Sequence, residues 1–257
     1  GGAGAGGGGG AGVSAGGPPV DWVSAMPSIL RQVQAGQPAE AQREALVKMH
    51  RMTLLVQPDA PVWQRHFEHC LEAVLRSLSH EESTIREEAV GCVKDMLRSH
   101  APRFGAFTEH VLLRLLACGK DAVREVAAAA EEALERLASI SDPHRCIAVL
   151  VPVMVKEPPP TLQLAISLQS RLVGRFSQLQ LLAILPQLLP PLFEAFKNSH
   201  ADVRKAVVFC LVDMYLVLGE QLTPHLAALS TSQLKLVTIY INKTTKARAD
   251  RLDAPHL

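Results

Sequence analysis

The chain has 257 residues, with 26 Lys and Arg against 25 Asp and Glu and a formal net charge of +1. So even a balance gives no electrostatic footing for nucleic acid as the principal partner. Hydrophobic residues make up 48% and aromatics only 4%, which suits Leu, Ala and Val packing helix on helix and argues against an all-β fold.

Most of the 17 glycines lie in residues 1–20. This leader has nothing to bury and reads as a disordered linker. It also lacks the basic segment and apolar run of a signal peptide. Ordered structure is predicted from Asp21, a helix cap ahead of Trp22. Helical pairs then follow at 21–35 and 38–56, 61–79 and 82–99, 102–117 and 120–139, 142–155 and 160–177, 179–197 and 200–219, and a short pair at 222–229 and 231–247. One domain, 21–247, results, with 248–257 as a flexible tail. Gln57-Pro58-Asp59, Ser141-Asp142-Pro143 and Pro158-Pro159-Pro160 punctuate it, because proline breaks helical hydrogen bonding. The richest apolar run, Leu179 to Phe193, is interrupted by Pro186, Pro190 and Pro191, so no membrane insertion is expected.

Within the second helix of each pair a basic or amide side chain recurs at intervals of about forty residues: Arg43, Arg86, Arg124, Gln163, Arg204 and, in a shortened last unit, Lys235. The column six residues later holds Met49, Cys92, Ala130, Gln169, Cys210 and Ile241. One residue earlier lie Gln42, Ile85, Val123, Leu162, Val203 and Leu234. These mostly apolar columns put one face of each helix against its neighbours. The period and the shared register predict an all-α, HEAT-type α-solenoid of about six helical pairs, an architecture that serves as a binding surface.

The helix dipole does not favour cations where the recurring Arg residues sit. A ladder of acidic or carbonyl acceptors is the expected compensation, since a planar guanidinium suits such bridging. The loops within the pairs all open on one edge. They contain Gly36-Gln37, His80 to Ser83, Gly119-Lys120-Asp121, Glu157 to Pro160 and Asn198 to Asp202. Ser83, Asp121 and Asp202 are candidate helix caps. The edge as a whole is a candidate binding surface, with Glu82, Lys120, Asp121, His200, Asp202, Arg204 and Lys205 as its partner-binding residues. A basic run, Lys243, Lys246, Arg248 and Arg251, is either a solvated end or a contact for an acidic surface.

Little points to catalysis. His66 and Cys70 stand at i, i+4, a spacing that can hold two metal ligands, but no second motif completes a site. The five cysteines, Cys70, Cys92, Cys118, Cys146 and Cys210, are widely spaced without a CxxC, as free thiols of a reducing cytoplasm would be. Cys92 and Cys210 share a register, which suggests a small core slot. With no phosphate loop, nucleophile elbow or carboxylate pair, the expectation is a non-enzyme without cofactor or metal.

From about Ala60 to Lys246 the wording resembles the C-terminal domain of the CLASP family, the cytoplasmic linker-associated proteins. The resemblance is carried by Asp202-Val203-Arg204-Lys205-Ala206-Val207-Val208-Phe209-Cys210, by Leu218-Gly219-Glu220-Gln221-Leu222-Thr223-Pro224-His225, by Ser232 to Leu236 and Tyr240 to Lys243, and by Val62 to Phe67. It implies a TOG-like, ARM-type HEAT domain of a microtubule plus-end-tracking protein that suppresses catastrophe. The implied partners are CLIP-family plus-end proteins, the kinetochore motor CENP-E, and cortical and Golgi adaptors, with tubulin and microtubules reached through the full-length protein. The implied location is the cytoplasm and cytoskeleton: plus ends, spindle, kinetochore, centrosome, Golgi and cortex. Tubulin-binding TOG domains carry a Trp in the first intra-repeat loop. Here that loop is Gly36-Gln37-Pro38, while Trp22 and Trp63 open first helices, a departure that favours adaptor recruitment over direct tubulin binding.

Overall fold

The computed structural model describes residues 21–252. The leader predicted as disordered, and residues 253–257 of the predicted tail, lie outside the described residues. Eleven α-helices are present among the described residues: α1 (Trp22–Gln32), α2 (Ala39–Leu55), α3 (Pro61–Ser77), α4 (Ser83–Ser99), α5 (Thr108–Cys118), α6 (Arg124–Ile140), α7 (Pro143–Lys156), α8 (Thr161–Val173), α9 (Gln178–Ala195), α10 (Ala201–Leu218) and α11 (Thr231–Leu252).

The helices form two layers. In one, α2, α4, α6, α8, α10 and α11 stack in order; in the other, α1 packs on α3, α5 on α7 and α7 on α9. Adjacent antiparallel helices close each repeat, so the core is a continuous seam between the layers. The column six residues after the recurring polar position is buried in all six units, Gln169 included. The expected solenoid register therefore holds in this column, while the column one residue before the recurring position ends in exposed Leu234. Cys92 and Cys210 lie in that seam, as a small core slot requires.

First-layer helices start on strong local signals. Asp21 accepts hydrogen bonds from Val23 N (3.1 Å) and Ser24 N (3.3 Å) to open α1. Asp142 accepts from His144 N at 3.0 Å, with Pro143 set at the first helical position of α7. Ser177 and Gln180 form a capping box on α9.

Several segments differ from the sequence expectation. The helix predicted over 102–117 begins as two 3-10 turns, Ala101–Arg103 and Gly105–Phe107, before α5. Pro102 and Gly105 oppose an α-helix there, and burial of Phe104 fixes the bent entry. The first helix of the last pair is a 3-10 stretch, Gly219–Leu226, that holds Pro224 and begins at Gly219 with φ +61°. The last helix runs through Leu252, five residues into the stretch read as tail. The helix predicted over 179–197 is present, with Pro186, Pro190 and Pro191 inside an unbroken α9. One helical stretch, Ala201–Leu226, is apolar and long enough to cross a membrane, and half of its most apolar window is buried inside the fold. Contact with α8, α9 and α11 accounts for its apolar character.

Candidate functional site at the loop edge

The N-termini of α2, α4, α6, α8 and α10 all open on one edge, and none carries a side-chain cap. Ser83 and Asp202, expected as caps, lie inside the first turns of α4 and α10 instead. Their backbone N–H groups and dipoles make the edge receptive to negative charge.

The recurring Arg residues show how the repeats are tied, and they are not equivalent. Arg86 is the complete case. Its Nη1 donates to the carbonyls of His80 (2.8 Å) and Glu81 (2.7 Å) in its own loop. Its Nε and Nη2 donate to both carboxylate oxygens of Asp121 in the next loop, at 2.6 and 2.9 Å. Asp121 Oδ1 also accepts from Val123 N at 2.9 Å. The Arg86 guanidinium holds the Asp121 carboxyl below its ordinary pKa. Arg204 repeats only half of this arrangement, donating Nη1 to the carbonyls of Asn198 (2.8 Å) and Ser199 (2.6 Å). Arg43 pairs with exposed Glu40 in its own helix. Arg124 is exposed, and its side chain makes no hydrogen bond among the described residues. The expected ladder of acceptors is thus present at Arg86, partial at Arg204 and absent at Arg124.

The candidate partner-binding residues separate accordingly. Glu82, Lys120, His200, Asp202 and Lys205 are exposed on the edge. Asp121 is drawn inward by Arg86, its side chain only 9% exposed. Asp202, Arg204 and Lys205 come together, lining a groove of about 310 Å³ between α10 and α11 with Val208, Phe209, Leu236 and Tyr240. Those four apolar residues were not among the candidates. A signal for one of them is in the sequence: Leu236 stands where four of the five earlier repeats have a charged residue, Glu44, Glu87, Glu125 and Lys205, and the fourth has Leu164. A second depression, of about 250 Å³, opens between α6 and α8 beside Gly119, Gln163 and Leu164.

The His66–Cys70 pair does not assemble. Cys70 is buried and donates to Met26 Sδ at 3.5 Å, and burial pushes its thiol up to about 12. Among the described residues no group of three or more His, Cys, Asp or Glu is placed to hold a metal ion. All five cysteines are buried free thiols. Neither tryptophan lies in an intra-repeat loop: Trp63 is buried in α3 and Trp22 is half-buried in α1.

The family described as EF3 N-terminal HEAT repeat matches residues 62–211. The CLIP-associated protein of Arabidopsis thaliana is 38% identical over 226 residues, covering 87% of this chain and 16% of that protein. The CLIP-associating protein 1-B of Xenopus laevis is 34% identical over 226 residues, covering 88% of this chain and 15% of that protein. The chain therefore spans about a sixth of the length of the curated relatives it matches. Among solved structures, one of microtubule polymerases with TOG domain arrays, described for tubulin recruitment and assembly, superposes with a TM-score of 0.75 at 19% identity, covering 86% of this chain and 47% of that one. At that identity the match speaks for the fold.

Proposed function

The chain belongs to the HEAT-repeat family and is CLASP-like over most of its length, and on that premise we propose that it is a protein-interaction module of a microtubule plus-end-tracking protein. In this reading it is the C-terminal, adaptor-binding domain. It recruits a catastrophe-suppressing factor by holding CLIP-family proteins, the motor CENP-E, or cortical and Golgi anchors. Its work is binding rather than catalysis, carried out in the cytoplasm at plus ends, spindle, kinetochore, centrosome, Golgi and cortex.

The observation that carries the proposal is the loop edge itself. Five uncapped helix N-termini are aligned there, and at its α10–α11 end the edge merges with a half-apolar groove. The relatives' names, CLIP-associated and CLIP-associating, indicate the kind of partner. Purified chain should retain CLIP fragments or CENP-E fragments in a pull-down. Retention of neither would refute the adaptor reading.

One observation favours a second reading, direct tubulin binding. The fold superposes on a TOG-array structure described for tubulin recruitment, and exposed Lys120 and Lys205 occupy its loop edge. Against it stands the first intra-repeat loop, Gly36-Gln37-Pro38, which offers no aromatic anchor. Size-exclusion chromatography with free tubulin separates the two: co-elution supports tubulin binding, and separate peaks support adaptor recruitment.

A further inference from the structure

The chain carries its own template for what is missing at Arg204. Arg86 and Arg204 occupy the same register, and each spends Nη1 on two carbonyls of its own loop. Arg86 gives Nε and Nη2 to a carboxylate from the next repeat, Asp121. Arg204 has no such acceptor: among the described residues its Nε and Nη2 make no hydrogen bond. The reason is in the sequence, since no Asp or Glu occurs between Glu220 and Asp250. Over the same stretch Lys235, Lys243 and Lys246 are exposed. The last unit of the solenoid is therefore basic, with a planar two-donor fork facing a groove.

The apolar part of the groove is equally out of pattern. Phe209 is 42% and Leu236 is 40% exposed. Leu236 occupies the register of Glu44, Glu87, Glu125, Leu164 and Lys205, a position that is charged in four of the five earlier repeats. Phe209 meets Tyr240 edge to face, ring centroids 5.7 Å apart, and Lys205 Nζ lies 5.9 Å from the centre of the Phe209 ring. Asp202 is the one acidic residue among those lining the groove.

We propose that the groove between α10 and α11 docks a short acidic segment of a partner protein, one carboxylate closing on Arg204 as Asp121 closes on Arg86, and a neighbouring apolar side chain seating against Phe209, Leu236 and Tyr240. Charge complementarity selects this occupant. A purely apolar peptide would leave the Arg204 fork unsatisfied, and a purely acidic one would leave the aromatic floor wet. The inference rests on the adaptor-binding reading and gives it a location and a chemistry.

The test is selection from a phage-displayed library of random dodecapeptides on the full chain, followed by anisotropy titration of the leading peptide. Enrichment of sequences with Asp or Glu next to Leu, Ile or Phe is expected. Arg204→Gln and Leu236→Glu should each weaken the leading peptide by about tenfold or more, corresponding to about 1.4 kcal/mol. Arg51→Ala, on the exposed face of α2 in the first repeat, should leave its affinity unchanged. Leu236 is exposed, so its variant reports on binding even if Arg204→Gln perturbs the fold; thermal melts of both variants check this. No enrichment, enrichment without an acid–apolar pairing, or binding indifferent to both substitutions would overturn the proposal. Adaptor fragments held equally by wild type and both variants would overturn the groove while leaving the adaptor reading intact. Peptides selected at the groove by a chain that retains no adaptor fragment would do the reverse.

Discussion

Removing Asp121 separates scaffold from contact most directly. Asp121→Ala deletes two charge-assisted hydrogen bonds to Arg86 and the acceptor for Val123 N. Hydrogen bonds to charged groups contribute about 1.5–3 kcal/mol each, and breaking a fully buried ion pair costs about 3–5 kcal/mol. The Arg86 and Asp121 side chains are 16% and 9% exposed, at the edge of the solenoid rather than in its core. Arg86 also keeps two carbonyl acceptors, so its charge is not stranded. These considerations place the loss at about 2 kcal/mol. Arg204→Ala, which removes only bonds within one loop, should cost about half as much. Urea unfolding at pH 7 of wild type, both single variants and the Arg86→Ala/Asp121→Ala pair measures this, the double-mutant cycle giving the coupling. Asp121 is held below its ordinary pKa, so its contribution is fully present above about 3.9, the unfolded value, and is lost as pH falls through the lower folded one. A loss below about 0.5 kcal/mol for Asp121→Ala, within what ordinary surface substitutions cause, would refute the idea that this pair ties the second and third repeats together.

His50 should make stability depend on pH in the opposite direction. Its Nδ1 lies 2.7 Å from Glu88 Oε1 and its Nε2 2.8 Å from Asp95 Oδ2, joining α2 to α4. Chiefly the Glu88 hydrogen bond, with help from Asp95 and against the opposing effect of burial, raises its pKa. The stabilisation is therefore complete below about 6.5, the unfolded value, and lost as pH climbs through the raised folded value. His50→Gln should cost about 1–2 kcal/mol at pH 5.5 and clearly less at pH 8.5, and a pH-independent cost by urea titration would contradict the doubly bonded imidazolium. Gly219 ends α10 at φ +61° and ψ −141°, a region closed to side chains. Gly219→Ala should destabilise by about 1–3 kcal/mol in thermal or urea unfolding, whereas an unchanged midpoint would mean the turn has another conformation available.

Element type and register were legible in the sequence because helix packing imposes a period that single residues report: the columns from Met49 to Ile241 and from Gln42 to Leu234 were enough to stack the repeats. Helix breaks set by local chemistry were legible too, as at Asp142-Pro143. The helix over 179–197 was legible through its three prolines, because the apolar run around them outweighs the missing N–H groups. The 3-10 turns ahead of α5 were not, because burial of Phe104 rather than local preference sets the path there. At the candidate site, charge and loop position found Asp202, Arg204 and Lys205. The aromatic floor escaped, because Phe209 and Tyr240 belong to different repeats and only the fold brings exposed Phe209 against half-buried Tyr240.

Arg86 and Arg204 differ in what the following unit offers. In a solenoid a side chain that reaches forward depends on the residues of the next repeat, and Arg43 and Arg124 show that a full repeat does not by itself supply the acceptor. Arg86 reaches forward and meets Asp121. Arg204 reaches toward a shortened unit whose first helix is a 3-10 stretch and whose entry to α11 holds no carboxylate. Leu234, Leu236 and Ile239 are exposed on α11. The Leu234 and Ile239 positions are mostly apolar in the earlier repeats, whereas the Leu236 position holds Glu44, Glu87 and Glu125 in the first three. This unit keeps apolar side chains and the Arg204 guanidinium together at one end of the loop edge. On the docking proposal Arg204 braces its own loop through Nη1 and offers Nε and Nη2 to the partner, with no change in its place in the register.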